Sequence, residues 1–386
     1  MTLLARPDAP PAVSDRRRNT PDRVLIGASV ILALMGLLMI YSATRVGLER
    51  NNLPASFSME RQMIFVAAGF ILVAVFSFVD YRELRHLAHI IYGGMVLSLS
   101  AVFLFPAVKG AQRWYDFGIF QLQPSEFSKT ACLLTLAAIL ARPAARLEWQ
   151  RILQALMVMV VPAALIFLQP DLGTMLIFAF LLMVLLFGAG ITARQALVVS
   201  GVGLAMGIAV FQFGLLRSYQ LDRIRVLFNP TLDPTGIGWN LRQSILAVGS
   251  GQLTGKGLFQ GQQTNFQYVP EQGTDFIFTA VGEQLGFVGG ILVIAAFLVL
   301  VWRLLVIAGA ARDRFGALLA MGIASIFAFH VLVNIGMTIG IMPVTGLPLP
   351  FMSAGGSSFL NFSICIGIAN SIWLRRSPVP GETIHS

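Results

Sequence analysis

The chain has 386 residues with 27 Lys+Arg against 18 Asp+Glu, a formal net charge of +9, and only 12% of its residues are charged while 56% are apolar. Soluble domains carry about 25% charged residues, so half that fraction excludes an ordinary soluble domain, and the hydrophobicity excludes disorder for most of the chain. Nucleic acid is not indicated by the basic balance, because no stretch interleaves Lys/Arg with exposed aromatics and the 29 Phe fall largely in apolar runs; a membrane accounts for both numbers.

Residues 1–23 form a tail containing Arg and Pro, without the uninterrupted apolar core of a cleaved signal peptide. Apolar runs follow at about 24–43, 62–79, 89–107, 124–141, 153–169, 172–190, 195–214, 276–304, 316–339 and 357–374. Each is close to the ~20 residues that cross a ~30 Å hydrocarbon layer. The expected fold is therefore an all-α polytopic membrane domain over 24–375 with about ten spans and a second tail over 376–386. An even number of spans puts both termini on one side. That side holds Arg16, Arg17, Arg18, Arg82, Arg85, Arg142, Arg194, Arg312, Arg314 and Arg375, so the positive-inside rule makes it cytoplasmic. Cys132 and Cys365 lie in apolar runs and read as small buried hydrophobes, and the four His form no ligand cluster.

One connection is long. Residues 215–275, on the outer face, are Gly-rich and carry Arg217, Arg223, Arg225, Arg242 and Lys256, with Leu241 to Val248 reading as a short helix against the membrane. Ordered loops of this length are usually functional. Ionisable groups inside spans cost roughly 2.5–3.5 kcal/mol each at the helix centre, so each needs a reason. Glu126 and Lys129 share one face at the outer start of the fourth span, either as a mutually neutralising pair near the interface or as the lining of a polar cavity. Pro124 suits the first helical turn there. Asp171 sits where an N-cap is expected, and His330 reads as a satisfied core histidine.

The segment VPEQGTDFIFTAVGEQLG (269–286) is the most informative. Thr274 can cap the eighth span, which would place Asp275 in its first turn, where a helix N-terminus favours an ionised carboxylate suited to a general base. Glu283 would lie about two turns deeper on roughly the same side. Two carboxylates beneath a cationic loop suggest a phosphorylated polar substrate at the outer interface. The connection PVTGLPLPFMSAGGSS (343–358) reads as stiff and re-entrant, serving either ligand approach by its backbone or tight helix packing.

The blocks GAQRWYDFGIFQLQPSEFSK, QPDLGT, GSGQLTGKGLFQGQQ, VPEQGTDFIF with GEQLGF, and NIGMTIGIMPVTGLPLPFMSAGGSS resemble the signature stretches of the SEDS proteins, over nearly all of the chain. The FNP..DP.G segment and GQQTNFQYVPEQ loop look more like the elongation member RodA than the division member FtsW. The resemblance implies a ten-helix enzyme of the bacterial cytoplasmic membrane, a hexosyltransferase that polymerises lipid II into glycan strands beside a class B penicillin-binding protein. It places the essential acid on Asp275, the charged pair on Glu126 and Lys129, the QPDLGT acid on Asp171, and further loop positions on Arg113, Trp114, Arg223 and Lys256. Departures from the family pattern fall at Gly273, Glu283-Gln284, Trp239 and Ala354.

Taken together, Asp275 is expected to act as general base on the acceptor hydroxyl, with Arg113, Lys129, Arg223 and Lys256 as candidates to stabilise the pyrophosphate leaving group. No cofactor is required by the sequence; a divalent cation, Mg²⁺ or Mn²⁺, held by few carboxylates and the phosphates, stays open. Two rivals share the same features: a lipid II flippase, and a non-catalytic scaffold for the penicillin-binding partner. The expected partners are lipid II, the nascent glycan strand, that transpeptidase and membrane lipids, and not nucleic acid.

Overall fold

The computed structural model describes residues 20–106, 112–118, 120–142, 147–214 and 218–376. The tail segments 1–19 and 377–386 and the loop cation Arg217 lie outside the described residues. All ten apolar runs form helices: α1 (Arg23–Arg50), α2 (Phe57–Phe78), α3 (Tyr81–Ala101), α4 (Pro124–Leu140), α5 (Trp149–Leu168), α6 (Leu172–Gly188) and α7 (Ala193–Gln212), then α11 (Ile277–Ala310), α12 (Arg314–Thr338) and α13 (Gly356–Leu374). Between α7 and α11 the long connection forms α8 (Ser218–Phe228), α9 (Ile237–Ser250) and α10 (Gln262–Asn265), so the short helix expected at Leu241–Val248 exists and begins earlier. The described strands are a two-residue antiparallel hairpin, Tyr115–Asp116 against Gln121–Leu122.

Eight of these helices are long and apolar enough to cross a membrane; α6 is apolar but shorter, at 17 residues. The surface is correspondingly apolar, with Leu97, Leu197 and Leu204 exposed, while Asn334, Asn361 and Asn370 are buried. Burying amides among helices and facing leucines outward is the arrangement expected when lipid is the solvent. Nearly all of α4 is buried, against α3, α5, α6, α12 and α13, so a 17-residue helix carrying two charges is surrounded by protein. Pro124 takes its first turn, where a missing N–H costs nothing. By contrast α7 buries only Gln195 and Val199.

Chain direction brings the hairpin, the 169–171 turn, α8 to α10 and the 339–355 segment to one end of the bundle. Val226, Leu241, Val269, Phe276, Met337 and Val344 form a small separate core there, tying the outer helices to α12. The α11 helix is broken within: Gly286 has φ 66° and ψ −162°. Backbone groups freed inside a membrane must find partners, and the 252–257 stretch supplies them. Phe287 and Val288 N–H donate to Gln252 and Leu253 carbonyls at 2.8 and 3.1 Å, and Lys256 and Gly257 N–H donate to Glu283 and Gln284 carbonyls at 3.0 and 3.1 Å.

Candidate active site

The turn before α6 is the hub of one charged cluster. Arg113 donates from Nε to the Gln169 carbonyl (2.6 Å) and from Nη2 to the Pro170 carbonyl (2.5 Å), which also accepts from the Tyr219 hydroxyl at 3.0 Å. Asp171 caps α6, accepting from Thr174 N–H (3.2 Å) and the Thr174 hydroxyl (2.9 Å). Trp114 is the half-buried neighbour of Arg113. On α8, Arg223 lies over the Tyr219 ring at 5.8 Å and donates to the Thr345 carbonyl at 2.9 Å. Burial first, and then the Arg113 guanidinium, lower the Arg223 pKa from its usual value, while Tyr219, Asp171 and Asp275 act in the opposite sense. A second guanidinium and two carboxylates therefore act on Arg223 here, and an arginine remains cationic throughout.

Asp275 does not occupy the first turn of α11. The helix starts at Ile277, and the Glu271 carbonyl instead gathers the N–H groups of Thr274, Asp275 and Phe276 at 3.1, 3.1 and 3.4 Å. The Thr274 hydroxyl donates to that same carbonyl (3.0 Å) and caps nothing. The turn is held from the other side by three bonds on consecutive carbonyls. Ala354 N–H donates to Gly273 (2.9 Å), the Ser353 hydroxyl to Thr274, and Asn334 Nδ2 to Asp275 (2.7 Å). Gly273 and Ala354, two of the departures from the family pattern, thus meet each other directly. The half-buried Asp275 carboxylate faces Gly346, where a Cβ would lie 3.3 Å from Oδ2.

Glu283 does not join Asp275. Because Asp275 is off the helix, the shared side assumed from spacing does not exist. Fully buried, Glu283 accepts from Gln263 N–H (2.8 Å), Thr264 N–H (2.9 Å), the Thr264 hydroxyl (2.7 Å) and the Lys256 ammonium (3.3 Å). It anchors the outer loop to α11 and engages Lys256. Glu126 and Lys129 are likewise not at an interface. Their side chains are buried and 2.7 Å apart, and Lys129 Nζ also meets His330 Nε2 at 3.1 Å. His330 Nδ1 in turn meets the Pro348 carbonyl at 2.9 Å. His330 is a buried core histidine, as the sequence suggested, with a charged partner that it did not. An apolar cavity of about 360 Å³ between α9, α11 and α12, lined by Phe278, Gly282, Ile291 and Ile335 among others, holds none of the site residues expected from sequence.

The structure therefore unites Arg113, Asp171, Arg223 and Asp275, and separates them from the Glu283–Lys256 anchor and the Glu126–Lys129 pair. Sequence reasoning did not assign Tyr219, Asn334 or Gly346. Asn334 had a visible signal, since it is an amide in an apolar span, four residues after His330 and hence on the same helix face. Among the described residues no three His, Cys, Asp or Glu side chains gather in a metal-binding group.

Known proteins agree with this architecture. The chain is 37% identical to the probable peptidoglycan glycosyltransferase FtsW of Trichlorobacter lovleyi, over 94% of this chain and 96% of the relative. It is 36% identical to the peptidoglycan glycosyltransferase MrdB of Escherichia coli K12, over 92% and 95%. A solved chain from a study of the structural coordination of polymerization and crosslinking by a peptidoglycan synthase complex superposes with a TM-score of 0.77 at 30% identity, over 92% of this chain and 98% of that one. The family model for FtsW, RodA and SpoVE, described as cell cycle protein, matches residues 22–377. A match of that extent, on the ten-helix fold and on the motifs that form the charged end of the bundle, makes this chain a member of the FtsW/RodA/SpoVE family, the SEDS family.

Proposed function

We propose that this peptidoglycan glycosyltransferase polymerises lipid II on the outer face of the bacterial cytoplasmic membrane, with Asp275 as general base. The carboxylate takes the proton from the 4-hydroxyl of the acceptor GlcNAc as that oxygen attacks the anomeric carbon of the donor MurNAc. The bond from that carbon to the pyrophosphate oxygen breaks, undecaprenyl pyrophosphate leaves, and the anomer inverts. The observation that carries this reading is the approach of Arg223 and Asp275 to one backbone stretch. Arg223 donates to the Thr345 carbonyl at 2.9 Å and the Asp275 carboxylate faces Gly346, with Arg113 acting on Arg223 from the far side, at the end of the bundle where a lipid headgroup would sit. Guanidiniums fixed in place before reaction stabilise developing phosphate charge without reorganisation. Lys129, buried and paired, and Lys256, engaged by Glu283, are less suited to that task than the sequence alone suggested.

A divalent cation, Mg²⁺ or Mn²⁺, would find only Asp275 and Asp171 in this cluster, so the pyrophosphate and water would have to supply its remaining ligands. A class B penicillin-binding protein is the proposed partner, since the solved relative belongs to a complex that couples polymerization to crosslinking. The motif resemblance favours the elongation role. The one-point difference in identity between the FtsW and MrdB relatives does not oppose it.

The test is polymer formation from lipid II by purified protein in detergent with a suitable partner. Detergent offers no second leaflet, so polymer made there is transfer chemistry and not translocation. Asp275→Asn should lower the rate by about 10²–10⁴-fold with folding and partner binding intact; polymerisation at the wild-type rate would overturn the assignment.

A further inference from the structure

Resting on the general-base reading of Asp275, we propose that His330 and Asn334 are positioning residues that hold one stretch of backbone, 345–348, against the catalytic group. Each of its four residues touches the site or α12. The Thr345 carbonyl accepts from Arg223 Nη1 at 2.9 Å, and Gly346 lies against the Asp275 carboxylate. The Leu347 carbonyl accepts from Asn334 Nδ2 at 2.7 Å, and the Pro348 carbonyl from His330 Nδ1 at 2.9 Å. Asn334 uses the same Nδ2 on the Asp275 carbonyl, also at 2.7 Å, so one amide fixes base and backbone stretch together.

This stretch cannot fix itself. Pro343, Pro348 and Pro350 lack N–H donors, which removes the ladder bonds a strand would use. Its carbonyls are instead read by two side chains one helical turn apart on α12. Lys129 decides how His330 does this. An ammonium only donates, so His330 Nε2, 3.1 Å from Lys129 Nζ, must present its lone pair, and the ring proton resides on Nδ1, facing Pro348. Glu126, 2.7 Å from Lys129, balances the charge. The buried pair thus sets the tautomer of the histidine that holds the stretch. A shift of about an ångström there would move both neighbours of the Asp275 carboxylate, a displacement worth about 10²-fold in rate.

The experiment compares two amides at position 330 in the full-length protein with its partner. Asn places an N–H near the Nδ1 position and keeps the bond to Pro348; Gln reaches the Nε2 position and keeps only the bond from Lys129. His330→Asn should retain kcat within about threefold, whereas His330→Gln should lose more than about tenfold in kcat with KM for lipid II nearly unchanged. Asn334→Asp, which turns a donor into an acceptor facing two carbonyls, should show the same kcat loss and gives a second test that does not depend on position 330. Equal activity of the Asn and Gln variants, or a wild-type kcat for Asn334→Asp, would overturn the proposal. Asp275→Asn is run in parallel. If it polymerises normally, the general-base reading fails; if it is inactive while His330→Gln and Asn334→Asp match wild type, only the positioning role fails.

Discussion

Gly346 stands at φ +78°, a backbone conformation that favours glycine, and it faces a carboxylate whose Oδ2 a Cβ would approach to 3.3 Å. Each fact favours glycine on its own: the torsion suits a residue without Cβ, and the short distance lets backbone come close to Asp275 without a side chain between them. Gly346→Ala should cost about 1 kcal/mol of stability from the strained φ. It should also lower the polymerisation rate by about tenfold or more, because relief of the contact displaces the carboxylate. Parallel thermal melts and rate measurements separate the two effects. A variant melting lower but polymerising at the wild-type rate would show that the carboxylate tolerates the displacement. Much at this scale was legible in the sequence: Asp275, Asp171 and the two arginines were each marked by a polar type in an otherwise apolar or Gly-rich context. What makes them a cluster was not, since Arg113 and Arg223 are held by the carbonyls of Gln169, Pro170 and Thr345, and carbonyls carry no sequence signal.

At the scale of elements, the ten helices were legible because apolar runs near the bilayer length dominate every other pattern. Ends and breaks were harder. The Thr-Asp pair before Ile277 reads as a cap and first turn, yet the Glu271 carbonyl captures the N–H groups that a cap would have served. The break in α11 depends on a loop about thirty residues earlier in the chain, and Gly286 alone does not announce it. A Cβ at Gly286 would lie 2.3 Å from the Gly255 nitrogen, so loop and helix fit only as a pair. Glu283 secures the same junction from one turn earlier. Glu283→Gln removes the charge that Lys256, Gln263 and Thr264 address, and should loosen the loop by about 2 kcal/mol, a roughly 30-fold fall in amide protection. Hydrogen exchange over residues 252–265 measures this directly. Protection unchanged from wild type would mean that the backbone bonds across the break suffice without the carboxylate.

For the whole molecule, the +9 net charge divides between two ends of the bundle with different uses. At the end that holds the start of α1 and the end of α13, arginines meet acids from neighbouring helices: Arg303 with Asp22 at 2.5 Å, Arg82 with Asp313 at 3.3 Å and Arg375 with Asp80 at 3.4 Å. These pairs knit helix ends together where the positive-inside rule places the cytoplasm. At the opposite end Arg113 is held by the Gln169 and Pro170 carbonyls, and Asp171 and Asp275 act on Arg223, so there the cations fall to the proposed substrate site. The division has a testable orientation. Cys132 and Cys365 are both fully buried, so the native chain offers an impermeant maleimide no accessible thiol among the described residues. A cysteine at Thr235, exposed before α9, should label in spheroplasts with intact membranes. One at Ala193, exposed where α7 begins at the other end, should label only after permeabilisation. The reverse pattern would put the arginine-rich end outside and leave Asp275 facing the cytoplasm, where a polymerase building wall beyond the membrane could not deliver its product.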